Sequence, residues 1–220
     1  ILVIMDIVHS HAVKNEIEGL GRFDGTSTQY FYEKDHPTWD SKLFDYGKSE
    51  VAHFLLSNAR YFLEEFKLDG FRFDGVTSMI YYDHGLGSGI SSYDDYYSGN
   101  INRDALMYMK NVNELLHEIN TQVVTIAEEV SGFPGLAAPI DEGGIGFDYR
   151  LNMSAPNLWI KHIEKIKDED WNMGKLMHEL SSYRPEERTI TYAESHDQAL
   201  VGDKTLIFRL IDKEMYYHMK

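Results

Sequence analysis

The sequence has no cysteine among its 220 residues, which excludes thiol catalysis, iron–sulfur clusters and Cys-ligated zinc. It is also short of positive charge: 21 Lys and Arg face 36 Asp and Glu, for a formal net charge of −15. DNA, RNA and anionic membranes all need a basic face, so no nucleic-acid and no membrane partner is expected. Long apolar runs are lacking too. The opening run, residues 1–5, is broken by Asp6; it is far short of a membrane span and has no basic segment of the kind that opens a signal peptide. There is no internal repeat, low-complexity tract or linker. No G-x-G-x-x-G follows a strand-like run, which weakens a dinucleotide-binding form. What is present is the composition of a globular protein, 43% hydrophobic and 13% aromatic, long enough to bury a core without disulfides.

Short apolar runs alternate with longer amphipathic ones. Residues 1–5 read as a strand buried on both faces. A polar stretch rich in Gly, Asp and aromatics follows, from about Ser10 to Lys48. Val51, Phe54, Leu55, Ala59, Phe62, Leu63 and Phe66 then fall on one helical face, stopped by Asp69-Gly70. Phe71-Arg72-Phe73 is a second strand. Ala105, Tyr108, Met109, Val112, Leu116 and Ile119 define a second helix, and residues 123–126 a third strand. Residues 145–151 form a weaker fourth strand. Met173, Leu176, Met177 and Leu180 keep helical spacing before a fifth strand at 189–193, and Asp212 to Lys220 reads as a helix still under way. The first residue is Ile, not Met, so the chain is expected to be a piece of a longer protein.

Strands separated by amphipathic helices imply parallel crossovers, hence an α/β fold with a buried parallel sheet. Four of the strands end in carboxylates or His: Asp6 to His11, Arg72-Phe73-Asp74, Glu128-Glu129 and Glu194 to Asp197. In a (β/α)8 TIM barrel all C-terminal strand ends open onto one face, so these clusters could meet in one site. Five strands cannot close such a barrel. The expectation is a partial (β/α)8 barrel, made of the central strands and helices of one catalytic domain.

Each cluster has a chemical and a bland reading. Arg72 lies on the same strand face as Asp74 and would keep that carboxylate ionised, as a nucleophile requires, though a structural Arg–Asp pair has equal standing. Of Glu128 and Glu129, alternation sends one into the barrel mouth and the other toward the helices, without saying which. The inward one suits a general acid, because desolvation raises its pKa. His196-Asp197 could grip substrate hydroxyls. His9-x-His11 after Asp6 suits a metallohydrolase, but only His196 among the later strand ends would extend that ligand set. Three carboxylates suit cleavage of an acetal: one acid protonates the leaving oxygen and a second carboxylate attacks or stabilises the anomeric centre. The loop aromatics Phe23, Tyr30, Phe31, Tyr32, Trp39, Tyr81, Tyr82, Tyr93, Tyr96 and Tyr97 fit stacking on sugar rings, with ordinary packing the simpler account for most.

In this order the four segments resemble the α-amylase superfamily of glycoside hydrolases: Asp6-Ile7-Val8-His9-Ser10-His11, Gly70-Phe71-Arg72-Phe73-Asp74-Gly75-Val76, Thr125-Ile126-Ala127-Glu128-Glu129-Val130 and Ala193-Glu194-Ser195-His196-Asp197-Gln198. Within it, the wording is similar to the 1,4-α-glucan branching enzymes, especially the eukaryotic type. Residues 73–79, 146–151, 168–174 and 198–204 carry that likeness, which covers nearly the whole chain. The resemblance implies that Asp74 is the nucleophile, Glu128 the acid/base and Asp197 the third carboxylate. It implies that Asp6, His11 and His196 hold the glucosyl unit before the scissile bond, and that Arg72 keeps Asp74 ionised. The reaction implied is retaining: an α-1,4 bond of glycogen, amylose or amylopectin is cut and a glucan 6-hydroxyl resolves the intermediate. Retention puts the two carboxyls about 5–5.5 Å apart. No cofactor and no metal are implied, and the location implied is the cytoplasm, or the plastid in a plant. An α-glucan hydrolase of the same superfamily, amylase or debranching in type, is the nearest rival.

The family's barrel has three more strands, a carbohydrate-binding module and a C-terminal β-domain. The chain is therefore expected to hold roughly the third to seventh strands, and alone to be inactive, with exposed strand edges.

Overall fold

The computed structural model describes residues 1–87, 89–181, 183–200 and 204–218. Of the motif residues quoted above, Val201, Gly202 and Asp203 lie outside the described residues, as do Met219 and Lys220 at the expected terminal helix. The chain divides into two compact units, one of Ile1–Arg150 with Glu186–Arg188, the other of Leu151–Pro185 with Thr189–Lys220.

The first unit opens with strand β1 (Ile4–Ile7), followed by a short antiparallel pair, β2 (His11–Val13) and β3 (Ser41–Leu43). That pair lies in the stretch read from the sequence as polar loop, because its strands are three residues each and carry no period-2 run. Helix α1 (Ser49–Phe66) leads to β4 (Gly70–Phe73); α2 (Val76–Ile80) and α3 (Arg103–Ile119) lead to β5 (Val124–Ala127). The next strand, β6 (Tyr149–Leu151), is reached through a loop with one 3-10 turn at Ile140–Glu142 instead of a crossover helix. The sheet order runs β1-β4-β5-β6, all parallel: Ile7 pairs with Phe73, Phe73 with Ala127, and Ala127 with Arg150.

The helices form where the apolar spacing put them. On α1, Val51, Leu55, Ala59 and Leu63 are buried, and on α3 Ala105, Tyr108, Met109, Val112 and Leu116 are. The Asn102 side chain caps α3 by accepting the Ala105 N–H at 3.2 Å, which satisfies one of the helix's unpaired donors. Phe71 and Phe73, fully buried on the helix-facing side of β4, pack in the same core as these helix faces. Removing each such ring from water is worth roughly 1.5–3 kcal/mol.

Two expectations are corrected. Residues 1–3 are exposed and the strand begins at Ile4, because β1 is the edge of the described sheet and pairs only with β4 there. Phe66, assigned to the apolar face of α1, is also exposed: it is the last helical residue, and Lys67 turns the chain away in a left-handed conformation before Asp69-Gly70.

In the second unit the chain continues from Leu151 into α4 (Ser154–Lys165) and α5 (Met173–Leu180), the latter capped by the Asn172 side chain on the Lys175 N–H at 2.9 Å. Only Leu176 of the α5 apolar set is buried; Met173 and Met177 are exposed. Strand β7 (Thr189–Ile190) runs beside this unit's first residues, the Asn152 N–H donating to the Ile190 carbonyl at 2.8 Å. It is shorter than the sequence suggested and stops before Ala193. Three short helices follow: α6 (His196–Leu200), α7 (Leu206–Ile211) and, after a 3-10 turn, α8 (Met215–His218). Among the described residues no helix is long and apolar enough to cross a membrane.

Candidate active site

The pleat decides which side chains meet. Asp6 pairs with Arg72, and Arg72 with Ile126, so these three share the sheet face opposite Phe71 and Phe73. The ladder runs one step past the strands: the Asp74 N–H donates to the Ile7 carbonyl at 3.1 Å and the Glu128 N–H to the Phe73 carbonyl at 3.0 Å. Asp74 and Glu128, each two residues beyond Arg72 and Ile126, therefore emerge on that same face, at the C-terminal ends of adjacent parallel strands.

Arg72 joins the first part of the site. Its Nη1 donates to Asp6 Oδ1 at 2.6 Å and to Asp74 Oδ1 at 2.7 Å. Burial disfavours the guanidinium charge, but the two carboxylates outweigh that and hold its pKa above the ordinary value. Charge-assisted bonds of this length fix the Asp74 carboxylate in one orientation.

Glu128 is fixed from the neighbouring strand. Its Oε2 accepts the Gly75 N–H at 2.7 Å, directly after Asp74. Gly75 needs its conformation: at φ +65° it is left-handed, and an added Cβ would lie 2.8 Å from Ser10 Oγ. The turn thus brings a backbone donor from one strand end to the carboxylate of the next.

The ambiguity between the two glutamates is resolved by burial. Glu129 points to the helix side and is 2% exposed. It accepts Arg150 Nη2 at 2.5 Å, the N–H groups of Ser131, Gly132 and Phe133 at 2.6, 2.9 and 3.1 Å, and the Thr77 hydroxyl at 3.2 Å. Arg150 also donates to Glu187 Oε2 at 2.9 Å and to the Phe133 carbonyl. Glu129 is a structural anchor for the loop that carries its neighbour.

The two histidines of His9-x-His11 go different ways. His9 is 3% exposed, with Nδ1 on the Tyr108 hydroxyl and Nε2 on Asn58 Oδ1, so α1 and α3 engage both nitrogens. Burial pushes its pKa down to about 4, and the ring is neutral at physiological pH. Neither nitrogen has a lone pair left for a metal, so the two imidazoles do not act as one ligand pair. His11 is close enough to Asp74 for that charge to raise its pKa, against a larger lowering by burial. Its Nδ1 meets the Ser10 hydroxyl at 2.8 Å and its ring leans on Trp39, 4.9 Å between centroids.

The first unit thus gathers Asp6, His11, Arg72, Asp74 and Glu128. The second holds His196 and Asp197 together in the first turn of α6, past the end of its strand. His196 Nε2 lies 3.2 Å from Asp197 Oδ1, and the Ser195 hydroxyl donates to Asp197 Oδ2 at 3.2 Å. Of the loop aromatics, Phe31, Tyr81 and Tyr96 are core packing, whereas Trp39 remains 46% exposed. Arg150 and Glu187 were missed as supports of the site. Arg150 sat inside a quoted motif, but Glu187, in a Pro-Glu-Glu-Arg turn, has no local pattern to mark it.

No model of a known protein family matches the chain. Individual proteins do. The chain is 53% identical over 221 residues to a 1,4-alpha-glucan-branching enzyme of Rhizophagus irregularis, covering 99% of this chain and 32% of that protein. It is 55% identical over 222 residues to the Dictyostelium discoideum protein of that name, covering 100% and 33%. The Felis catus protein, also so named, gives 53% over 223 residues, covering 100% and 32%. The chain therefore spans about a third of the length of the curated relatives it matches. In fold it is similar to a maltogenic alpha-amylase from Thermotoga neapolitana, at TM-score 0.57 and 19% identity over 90% of this chain and 39% of that one. An Anoxybacillus alpha-amylase gives TM-score 0.62 and 16% identity over 95% and 44%. The chain is an α/β protein of the α-amylase kind in fold, and in sequence it is closely similar to 1,4-alpha-glucan-branching enzymes.

Proposed function

We propose that this chain is the central part of the (β/α)8 catalytic barrel of a 1,4-α-glucan branching enzyme, roughly its third to seventh strands. The observation that carries the reading is the shared face of Asp74 and Glu128: two carboxylates on adjacent parallel strand ends, one clamped by Arg72 and the other by the Gly75 N–H. The identity to branching enzymes along the whole chain agrees with it.

In this reading Asp74 attacks the anomeric carbon of an α-1,4-linked glucosyl unit. Glu128, protonated, gives its proton to the glycosidic oxygen as that bond breaks, and the leaving chain departs with a free 4-hydroxyl. The transferred oligoglucan is then an ester of Asp74. Glu128, now a carboxylate, takes the proton of a glucan 6-hydroxyl, whose oxygen attacks the same carbon and expels Asp74. The two inversions give net retention and an α-1,6 branch. Asp197 steadies positive charge at the anomeric carbon and grips ring hydroxyls. Asp6, His11 and His196 hold the glucosyl unit, and Arg72 orients Asp74 through their hydrogen bond. Glycogen, amylose and amylopectin are the substrates of this proposal, and the cytoplasm its location.

The test is amylose conversion by the protein that contains this chain. A rise in α-1,6 linkages by proton NMR without a matching rise in reducing ends is the expected result. Reducing ends alone would make the enzyme a hydrolase, and no conversion of amylose would overturn the glucan reading.

A further inference from the structure

The antiparallel β2–β3 excursion carries one residue to the edge of the proposed site that no step above uses. Trp39 lies on the loop before β3, and its indole packs face to face on His36, 3.9 Å between ring centroids and 6° between planes. His36 is itself 3% exposed, and its Nδ1 accepts the backbone N–H groups of Thr38 and Trp39 at 3.3 and 3.2 Å. An accepting Nδ1 leaves the proton on Nε2, so the supporting ring is neutral and its orientation is fixed by the loop it holds. His11 leans on the same indole at 4.9 Å. Two rings and two backbone bonds thus hold an aromatic side chain that still exposes 46% of its surface.

Its position is what gives that exposure meaning. Trp39 Cη2 lies 3.6 Å from where a Cβ on Gly75 would stand. Gly75 follows Asp74 in the chain, and its N–H is the donor that holds Glu128. The indole edge therefore lies against the residue that follows Asp74 and whose N–H holds Glu128. An exposed indole costs hydrophobic free energy, and an indole held rigid in solvent offers a large flat apolar surface with little rotamer entropy left to lose. A pyranose ring presents a face of axial C–H groups that matches such a surface, while its hydroxyls stay at the rim for the polar groups of the site.

We infer that Trp39, backed by His36, is the stacking platform for a glucosyl ring of the α-glucan beside the reacting carboxylates. The inference rests on the glucan reading above and adds to it the residue that grips the sugar by its apolar face. His36 acts through Trp39 and is a positioning residue.

A platform that holds the sugar equally in the ground and transition states raises KM when lost and leaves kcat nearly unchanged. The experiment compares Trp39→Phe, Trp39→Leu and Trp39→Ala in the protein that contains this chain, with amylose as substrate. Trp39→Ala and Trp39→Leu should raise KM on the order of tenfold with kcat within about twofold, while Trp39→Phe keeps most of the affinity because it keeps a flat ring. Leu fills much of the same space and would satisfy a packing role. Equal KM for the Leu and Phe variants, or an unchanged KM in both Leu and Ala, overturns the inference. Should the Ala variant fail to fold, the Leu and Phe pair still decides the matter. Wild-type protein that leaves amylose untouched would sink the glucan reading instead, so the two failures are distinct.

Discussion

Glu128 and Glu129 are neighbours in the chain with opposite surroundings, and replacing each by alanine separates chemistry from stability. Glu129→Ala deletes the acceptor for Arg150 Nη2, for three consecutive backbone N–H groups and for the Thr77 hydroxyl. The Glu129 side chain is fully buried and the Arg150 side chain 11% exposed, so water replaces little of what is lost. Removing one partner of a buried charged pair costs about 3–5 kcal/mol. Glu187 remains on Arg150 and moderates the loss toward the lower figure. Glu128 is only half-buried, so water can replace part of what its carboxylate loses and its replacement should cost less than that of Glu129. Urea unfolding followed by tryptophan fluorescence would measure both. The expected result is a midpoint lowered clearly more for Glu129→Ala than for Glu128→Ala. Turnover should be lost in Glu128→Ala and largely kept by Glu129→Ala at urea concentrations where it stays folded. Equal midpoint shifts, or loss of turnover in both while both stay folded, would refute the division of labour.

Asp74→Asn keeps the shape of the side chain and removes the nucleophile, so turnover should fall by roughly 10³-fold or more while the unfolding midpoint drops only by the loss of one charge-assisted bond to Arg72; retained turnover would end its proposed role. Gly75→Ala forces a side chain onto the Ser10 hydroxyl in a left-handed backbone, at about 1–2 kcal/mol, and should weaken turnover by shifting the donor to Glu128. Wild-type kinetics in that variant would show that the turn is not needed for placement. His9 gives a pH signature. Its pKa is about 4 folded against 6.5 ordinarily, so the unfolded chain binds more protons between those values. Its contribution, about 3 kcal/mol for a shift of that size, is fully present above pH 6.5 and is lost as the pH falls through 4. His9→Asn should flatten stability over that window; parallel curves for both proteins would contradict it.

Much of the first unit could be read from residue order. The faces of α1 and α3 were visible because their apolar residues recur at helical spacing. The pairing of Arg72 with Asp74 followed from strand alternation, since residues two apart share a face. The short strands β2 and β3 were not visible, because three residues each give no period to detect and their pairing is set by contacts 30 positions apart. The exposed start of β1 was misread for a related reason: an apolar run does not say whether a neighbour covers it.

What sequence alone determined was which residues alternate, which faces are apolar, and that acids cluster after strands, all of them local properties of a chain with fixed geometry. Tertiary structure decided the rest. It chose Glu128 over Glu129 for the open face, because Glu129 is the one buried against Arg150 and the N–H groups of the following loop. It split His9 from His11 by offering one of them Asn58 and Tyr108. It set Trp39 beside Gly75 across 36 positions of chain. Each of these choices depends on a partner distant in sequence, and such a partner leaves no trace in the local pattern of either residue.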